Sequence, residues 1–386
     1  MNIALSHEDE LLRTTVRAFI DNEVIPHENL VDRTGEVPEN IGRAIEAKSK
    51  ELGLFAANLP ERVGGGGLTY AQMAIIEREF GRTSHALHSW AARPTELLLA
   101  CEGEQVEKYL MPCVSGDKRE LFALTEPGAG SDAMGMTTRA RRDGDDWVLD
   151  GMKHFISAPT MADFAIVFAT TGIDETKSGP RKRVTAFLVD RDMTGVTFRE
   201  GTKCVSNRGY KTYELLFDGV RLGPEQILGE EGRGFELAGK WLGMGRVWIG
   251  ASCCGKAERL MELAVEWAAN RKQFSQPIGR FQATGFRLAD MAIGLRTGEL
   301  LVADAVRRAD AGVMRDEDAA MVKVYCSEML NRVADETVQI YGGMGLMEEL
   351  PVHRLWRDSR IERIWDGTSE IQRHIITRAI LRPLGA

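Results

Sequence analysis

The chain has 386 residues, enough for two or three domains around a large buried core. Its 44% hydrophobic and 27% charged residues exclude a disordered chain. The formal charge of −8 excludes a general nucleic-acid or membrane-surface binder, which needs a basic face. No run reaches the roughly 18 apolar residues that a membrane span requires. The opening MNIALSHEDELLRTTVRAF lacks a secretory apolar core and is too acidic for a transit peptide, so the expectation is a cytoplasmic protein.

The first 120 residues carry helical periodicity. Ser6, with Glu8 and Asp9 after it, predicts a helix start, and Leu11, Leu12, Val16, Phe19 and Ile20 recur at helical spacing. The glycines from Gly64 to Gly67 form a loop without the Lys-Ser or Lys-Thr step of a P-loop. Helices are predicted from Tyr70 to about Arg82 and from Thr95 to Tyr109. His85 and His88 can share a helix face, but no carboxylate or cysteine cluster joins them, so no metal site is expected. The six cysteines contain no C-x-x-C pair, and the adjacent Cys253 and Cys254 fit a helix better than a disulfide framework.

From about residue 121 the pattern changes to short apolar or alternating runs bounded by Gly, Asp and Pro: WVLDG, KHFIS, DFAIVFATT, RVTAFLVD, GVTFRE and YELLFDGV. In the last, Tyr213, Leu215 and Phe217 alternate with Glu214, Leu216 and Asp218, the pattern of an antiparallel strand. No helix-length segment separates these runs, which excludes a Rossmann sheet. Beyond Gly234 the chain is helical again. Val322, Cys326, Met329, Val333, Thr337 and Ile340 mark one buried face, which Gly342 and Gly343 end. The predicted architecture is α+β: a helical domain over 1–120, an antiparallel β domain over 121–230, and a helical domain over 231–386.

Taken singly, the glycine segments GAGSD, GMGR and GGMGL are turns or close helix contacts, and none is a G-x-G-x-x-G between strand and helix. Together with their neighbours they say more. LTEPGAGSD at 124–132, NRKQFSQPIGRFQ at 270–282, QIYGGMGL at 339–346, DGTSEIQR at 366–373 and the looser PERVGGGGLTYAQMAIIEREFGR from Pro60 stand in the order and spacing of the acyl-CoA dehydrogenases. The chain resembles that family along essentially its whole length. The resemblance implies a C-terminal four-helix bundle, FAD as cofactor and an acyl-CoA thioester as substrate. It also implies an electron-transfer flavoprotein as acceptor and a homotetramer with FAD sites shared between chains.

It further assigns residues. Thr125 matches the position that contacts the isoalloxazine. Gly128 and Gly130 suit a backbone that approaches a ring closely, and Ser131 matches a contact to the flavin phosphates or the substrate. Ser157 matches a hydroxyl near the hydride-accepting nitrogen, and Phe155 replaces the usual tryptophan. Arg271 and Phe274 match residues that reach FAD of a neighbouring subunit, a guanidinium being suited to bidentate bonds with a pyrophosphate. Gln339, Gly342 and Gly343 match the segment that cradles the adenine end, and Thr368 belongs to the C-terminal cofactor motif, beside Gly367 on the substrate side. Arg246 matches an arginine that meets CoA, although Gly243 stands where an Asp or Asn normally precedes it.

The reaction needs a carboxylate to take the α-proton, donors to hold the thioester oxygen, and a hydride acceptor, which no side chain can be. In most of the family a glutamate precedes Gly-Thr-Ser; here Asp366 does. The minority position, just before the helix arginine, is Gly245. Asp366 is therefore the expected base, with helix capping as its ordinary alternative. The shorter side chain leaves two variant chemistries open on this fold, a nitroalkane-oxidase-like reaction and a desulfinase-like reaction on a sulfur-bearing acyl-CoA. Arg93 is either a surface cation or a site for an anion on the substrate.

Overall fold

A computed structural model describes residues 5–91, 93–176 and 179–384. The N-terminal helices are α1 (His7–Phe19), α2 (Glu28–Thr34), α3 (Glu39–Glu51), α4 (Tyr70–Phe80), the single turn α5 (His85–His88) and α6 (Met111–Ser115). Ser6 caps α1 as expected, its Oγ accepting from the Asp9 amide at 3.1 Å. Thr69 and Gln72 form a reciprocal capping box that starts α4. The helix expected over 95–109 is instead two separate turns, Glu96–Ala100 and Val106–Leu110. They are broken at Gly103, whose φ of +54° a helix does not admit.

The central strands are β1 (Glu120–Ala123), β2 (Arg139–Asp143), β3 (Asp146–Ala158), β4 (Phe164–Thr176), β5 (Gly179–Asp190), β6 (Val196–Glu200) and β7 (Lys211–Leu222). They form one sheet in the order β1-β4-β2-β3-β7-β6, with β5 also on β4. The sheet is mixed rather than purely antiparallel, because β1 runs parallel to β4 and β2 meets β4 in parallel at one register position. The runs WVLDG and KHFIS are one strand, β3, broken in register on β7 between Leu149 and Gly151 and between Lys153 and Ile156.

Strand β4 shows why its sequence does not alternate. Phe164, Ile166 and Phe168 face a core shared with the N-terminal turns, while Ala165, Val167 and Ala169 face a second core on the opposite side of the sheet. With both faces covered, apolar residues are required at every position.

The C-terminal helices are α7 (Gly234–Asn270), α8 (Gln282–Asp310), α9 (Asp316–Tyr341), α10 (Pro351–Ser359) and α11 (Ser369–Leu381). Helices α7, α8, α9 and α11 pack as a bundle with α9 at its centre, and α1, α3 and α4 add their apolar faces to the same core. The six residues named for the buried face of α9 are all buried, and Gly342 ends the helix with φ +62°. Cys253 and Cys254 lie buried on α7, and all six cysteines are free. Among the described residues no helix is long and apolar enough to cross a membrane, and no group of side chains is arranged to hold a metal.

Candidate active site

Asp366 lies in the turn between Trp365 and α11, and it is not the helix cap. Thr368 caps α11, its Oγ1 accepting from the Ile371 amide at 3.3 Å. Asp366 and Gly367 both adopt left-handed backbone, with φ of +50° and +92°. For a non-glycine residue such backbone costs on the order of 1 kcal/mol or more and is retained where surroundings hold it. The surroundings here are three donors. Lys323 Nζ of α9 donates to the Gly367 carbonyl at 2.7 Å, and Gln372 Nε2 of α11 donates to the same oxygen at 2.8 Å. Gln372 Nε2 also lies 3.3 Å from the Asp366 carbonyl, which Arg246 Nε of α7 meets at 3.5 Å.

The carboxylate itself points toward α7. A β-carbon built on Gly245 would stand 3.6 Å from Asp366 Oδ2, so the two base positions of the family converge on one point, and here only Asp366 occupies it. Burial raises the Asp366 pKa above its ordinary value; Lys323, Arg246 and Arg93 oppose that rise. A desolvated carboxylate with a raised pKa is a better general base near neutral pH than an exposed aspartate.

Around it stands a wall of aromatic and imidazole rings. Trp365 lies 5.1 Å from His85, which meets Tyr210 edge-on at 4.4 Å and His88 edge-on at 4.5 Å. Burial holds His85 neutral, with its pKa pulled down to about 3, and lowers that of His88 as well. Tyr210 donates from its hydroxyl to the Ser157 carbonyl at 3.3 Å. A short chain of contacts therefore joins β3 at Ser157 to the Asp366 turn. Arg93 is an exposed cation paired with a buried carboxylate. Its Nε lies 2.7 Å from the buried Glu77 carboxylate and its guanidinium stands 5.8 Å over Trp248. Its charge reaches Asp366, Glu96, His85 and Tyr210.

The loop 124–131 and the 153–157 segment of β3 are tied to one another. Lys153 Nζ donates to the Leu124 carbonyl and to Glu126 Oε1, both at 2.9 Å, and the His154 amide donates to the Thr125 carbonyl at 2.9 Å. Glu126 in turn accepts the amides of Thr137 at 2.6 Å and Thr138 at 3.0 Å. These bonds hold its carboxyl at about 2, while burial pulls the Lys153 pKa down to about 8. Phe155 sits in the β-bulge with φ +55° and is 62% exposed, and Ser157 donates to its carbonyl at 3.3 Å. Gly128 and Gly130 have negative φ, and a β-carbon on either would meet nothing within 4 Å. Neither backbone strain nor internal packing explains these glycines, and open space beside a backbone is what a bound ring system fits. Ser131 is exposed beside them.

The remaining assigned residues lie at a separate place. A cavity of about 570 Å³ is lined by Trp267, Arg271, Ile340, Tyr341, Gly342 and Gly343 among others, with Trp267 and Tyr341 stacked at 4.4 Å. Gly342 and Gly343 again leave open space where a side chain would stand. Gln339 is exposed near its edge, and Phe274, with φ +51°, is 89% exposed. None of the residues that line this cavity belongs to the Asp366 turn or to the 124–157 segments. Sequence reasoning missed Lys323, Gln372, Tyr210 and His85. Three of them left a signal: Gln372 stands inside the DGTSEIQR motif, His85 shares a helix face with His88, and Lys323 is a cation one residue from the apolar stripe of α9.

Models of the acyl-CoA dehydrogenase N-terminal, middle and C-terminal domains match residues 6–117, 121–220 and 232–381. Human mitochondrial short-chain specific acyl-CoA dehydrogenase is 36% identical over 387 residues, covering 99% of this chain and 92% of that one. A subunit of the caffeyl-CoA reductase–Etf complex of Acetobacterium woodii is 34% identical over 383 residues, covering 98% and 99%. Among solved structures, acyl-CoA dehydrogenase complexed with FAD from Bacillus anthracis superposes with a TM-score of 0.88 at 32% identity, covering 99% of this chain and 68% of that chain. Fold and site together define a flavin-dependent oxidoreductase of acyl thioesters. The chain belongs to the acyl-CoA dehydrogenase family, whose members are FAD flavoproteins.

Proposed function

We propose that the protein dehydrogenates an acyl-CoA between its α and β carbons, with Asp366 taking the α-proton. The observation that carries this reading is the half-buried Asp366 carboxylate held against Gly245 by a turn with three donors. FAD supplies the acceptor for the β-hydride. Thr125, Gly130, Ser131, Phe155, Ser157 and Thr368 would hold its flavin end. Arg271, Phe274, Gln339, Gly342 and Gly343 would hold the adenine end of the FAD of a neighbouring subunit. Ser131, Gly367 and Arg246 would meet the substrate. The neutral His85 and His88 add no competing charge beside Asp366.

An FAD held between copies of the chain requires a homo-oligomer, for which we take a tetramer. Phe286, Ile293 and Leu300 recur every seven residues on α8 and are all exposed, an apolar stripe that fits a helix of a second copy. The Etf complex of the Acetobacterium relative supports an electron-transfer flavoprotein as acceptor, and we place the reaction in the cytoplasm.

The test is anaerobic addition of a panel of acyl-CoAs while flavin absorbance is followed, with Asp366→Asn alongside. Bleaching by one class of thioester, slowed on the order of 100-fold or more in the variant, is expected. Bound FAD that no acyl-CoA bleaches would overturn the reading. Arg93 favours a second reading on the same fold, in which the acyl group carries a distal anion, as in a desulfinase-like reaction on a sulfur-bearing acyl-CoA. Bleaching or product release confined to anionic acyl-CoAs, lost in Arg93→Met, would select it. Rapid reoxidation of the reduced flavin by oxygen would select the nitroalkane-oxidase-like reaction.

A further inference from the structure

Lys323 is fully buried on α9, among Ala319, Ala320, Val322, Cys326 and Leu330. Its one hydrogen bond among the described residues is the 2.7 Å contact to the Gly367 carbonyl, and no carboxylate lies within ion-pair distance of it. A buried ammonium with a single carbonyl partner is expensive to keep, and a methionine would fill the same space without that penalty. The carbonyl it holds belongs to the glycine that follows Asp366. A side chain at Gly367 would stand 2.7 Å from Gln372 Nε2, so the turn is closed around this hydrogen-bond set and tolerates glycine alone.

We propose that Lys323 is a positioning residue for the general base: its hydrogen bond to the Gly367 carbonyl holds the left-handed Asp366–Gly367 turn and sets a cation from the bundle interior behind it. The proposal deepens the reading of Asp366 as base and rests on it. Geometry separates the two roles. Gln372 shares the Gly367 carbonyl but brings no charge, whereas Lys323 brings both. The charged and titratable groups around Asp366 are Arg246 on α7, Lys323 on α9, Arg93 before the Glu96 turn, Glu362 just ahead of Trp365, and Tyr210 across the cleft. Of those that oppose its protonation, Lys323 acts most strongly and comes from the bundle interior. Burial pulls the Lys323 pKa down to about 8, so the ammonium persists through neutral pH.

The experiment follows flavin bleaching by the acyl-CoA that reduces the wild-type holoenzyme, from pH 5 to 9, in Lys323→Met, Lys323→Arg and Gln372→Leu. Lys323→Met should lose roughly tenfold or more in rate, with the acid limb moved up by about one pH unit. Gln372→Leu should lose rate with the acid limb in place. Lys323→Arg, which keeps the charge, should keep the acid limb whatever its rate. Should Lys323→Met fail to retain FAD, the Arg and Leu variants decide: an acid limb that moves in Lys323→Arg overturns the proposal. An unchanged rate and limb in Lys323→Met also overturns it, as does lost stability with no movement of the limb. A wild-type enzyme that no acyl-CoA reduces would instead sink the reading of Asp366, leaving the lysine to be judged by Asp366 titration.

Discussion

At Asp366 a short carboxylate stands on left-handed backbone. An aspartate reaches roughly 1–1.5 Å less far than a glutamate, and a misplacement of about 1 Å can cost on the order of a hundredfold in rate. The left-handed pair Asp366–Gly367 sets where the shorter side chain starts, and open space at Gly245 lets it approach α7. The neutral histidines beneath the site carry a pH consequence of their own. In the unfolded chain His85 takes a proton below about 6.5, whereas in the folded protein burial delays it to about 3. The unfolded state thus binds more protons across that window, and stability falls as pH falls through it. His85→Phe should keep about 2 kcal/mol more of its pH 7 stability at pH 5 than the wild type does, read by urea unfolding. Equal losses in both proteins would remove His85 as the cause.

Among the elements, β3 is tied to the 124–131 loop through the buried Lys153–Glu126 ion pair. Breaking such a pair by removing one partner strands a buried charge, at about 3–5 kcal/mol. Lys153→Met, which leaves Glu126 unpaired, should lower stability by about 3 kcal/mol and weaken FAD retention on gel filtration. Lys153→Met with Glu126→Gln should recover part of both, and a double variant no better than the single would contradict the pairing. Helix periodicity was legible wherever one face alone is buried, as on α1, α4 and α9. It misled over 95–109, where Gly103 takes a left-handed φ that apolar spacing does not register. Strand β1 has only four residues and β2, RARRD, buries Ala140 alone, so neither shows an apolar pattern, and the parallel pairing of β1 with β4 is a tertiary fact. The Asp366 turn was legible by motif, but its donors were not. Gln372 lies five residues on, within the motif, where no pattern marks it as a donor, and Lys323 is brought from 44 residues away by helix packing, which no local spacing encodes.

For the whole molecule, the proposed sharing of FAD between copies of the chain ties assembly to the chemistry. Phe286→Asp on the exposed α8 stripe should reduce the oligomer in sedimentation velocity and release FAD in step. A variant that stays assembled, or dissociates with FAD fully retained, would show that the stripe and the shared site are unrelated. The three family models span residues 6–381, so the architecture and cofactor follow from the chain as a whole.

The most direct measurement of the central claim is α-proton exchange. The holoenzyme is incubated with the acyl-CoA that bleaches it, in D₂O under anaerobic conditions, and deuterium at the α carbon is followed by mass spectrometry. With Asp366 as the base, the wild type incorporates α-deuterium and Asp366→Asn, with FAD still bound, does not. Exchange that persists in the variant would assign the proton to another group and contradict the account.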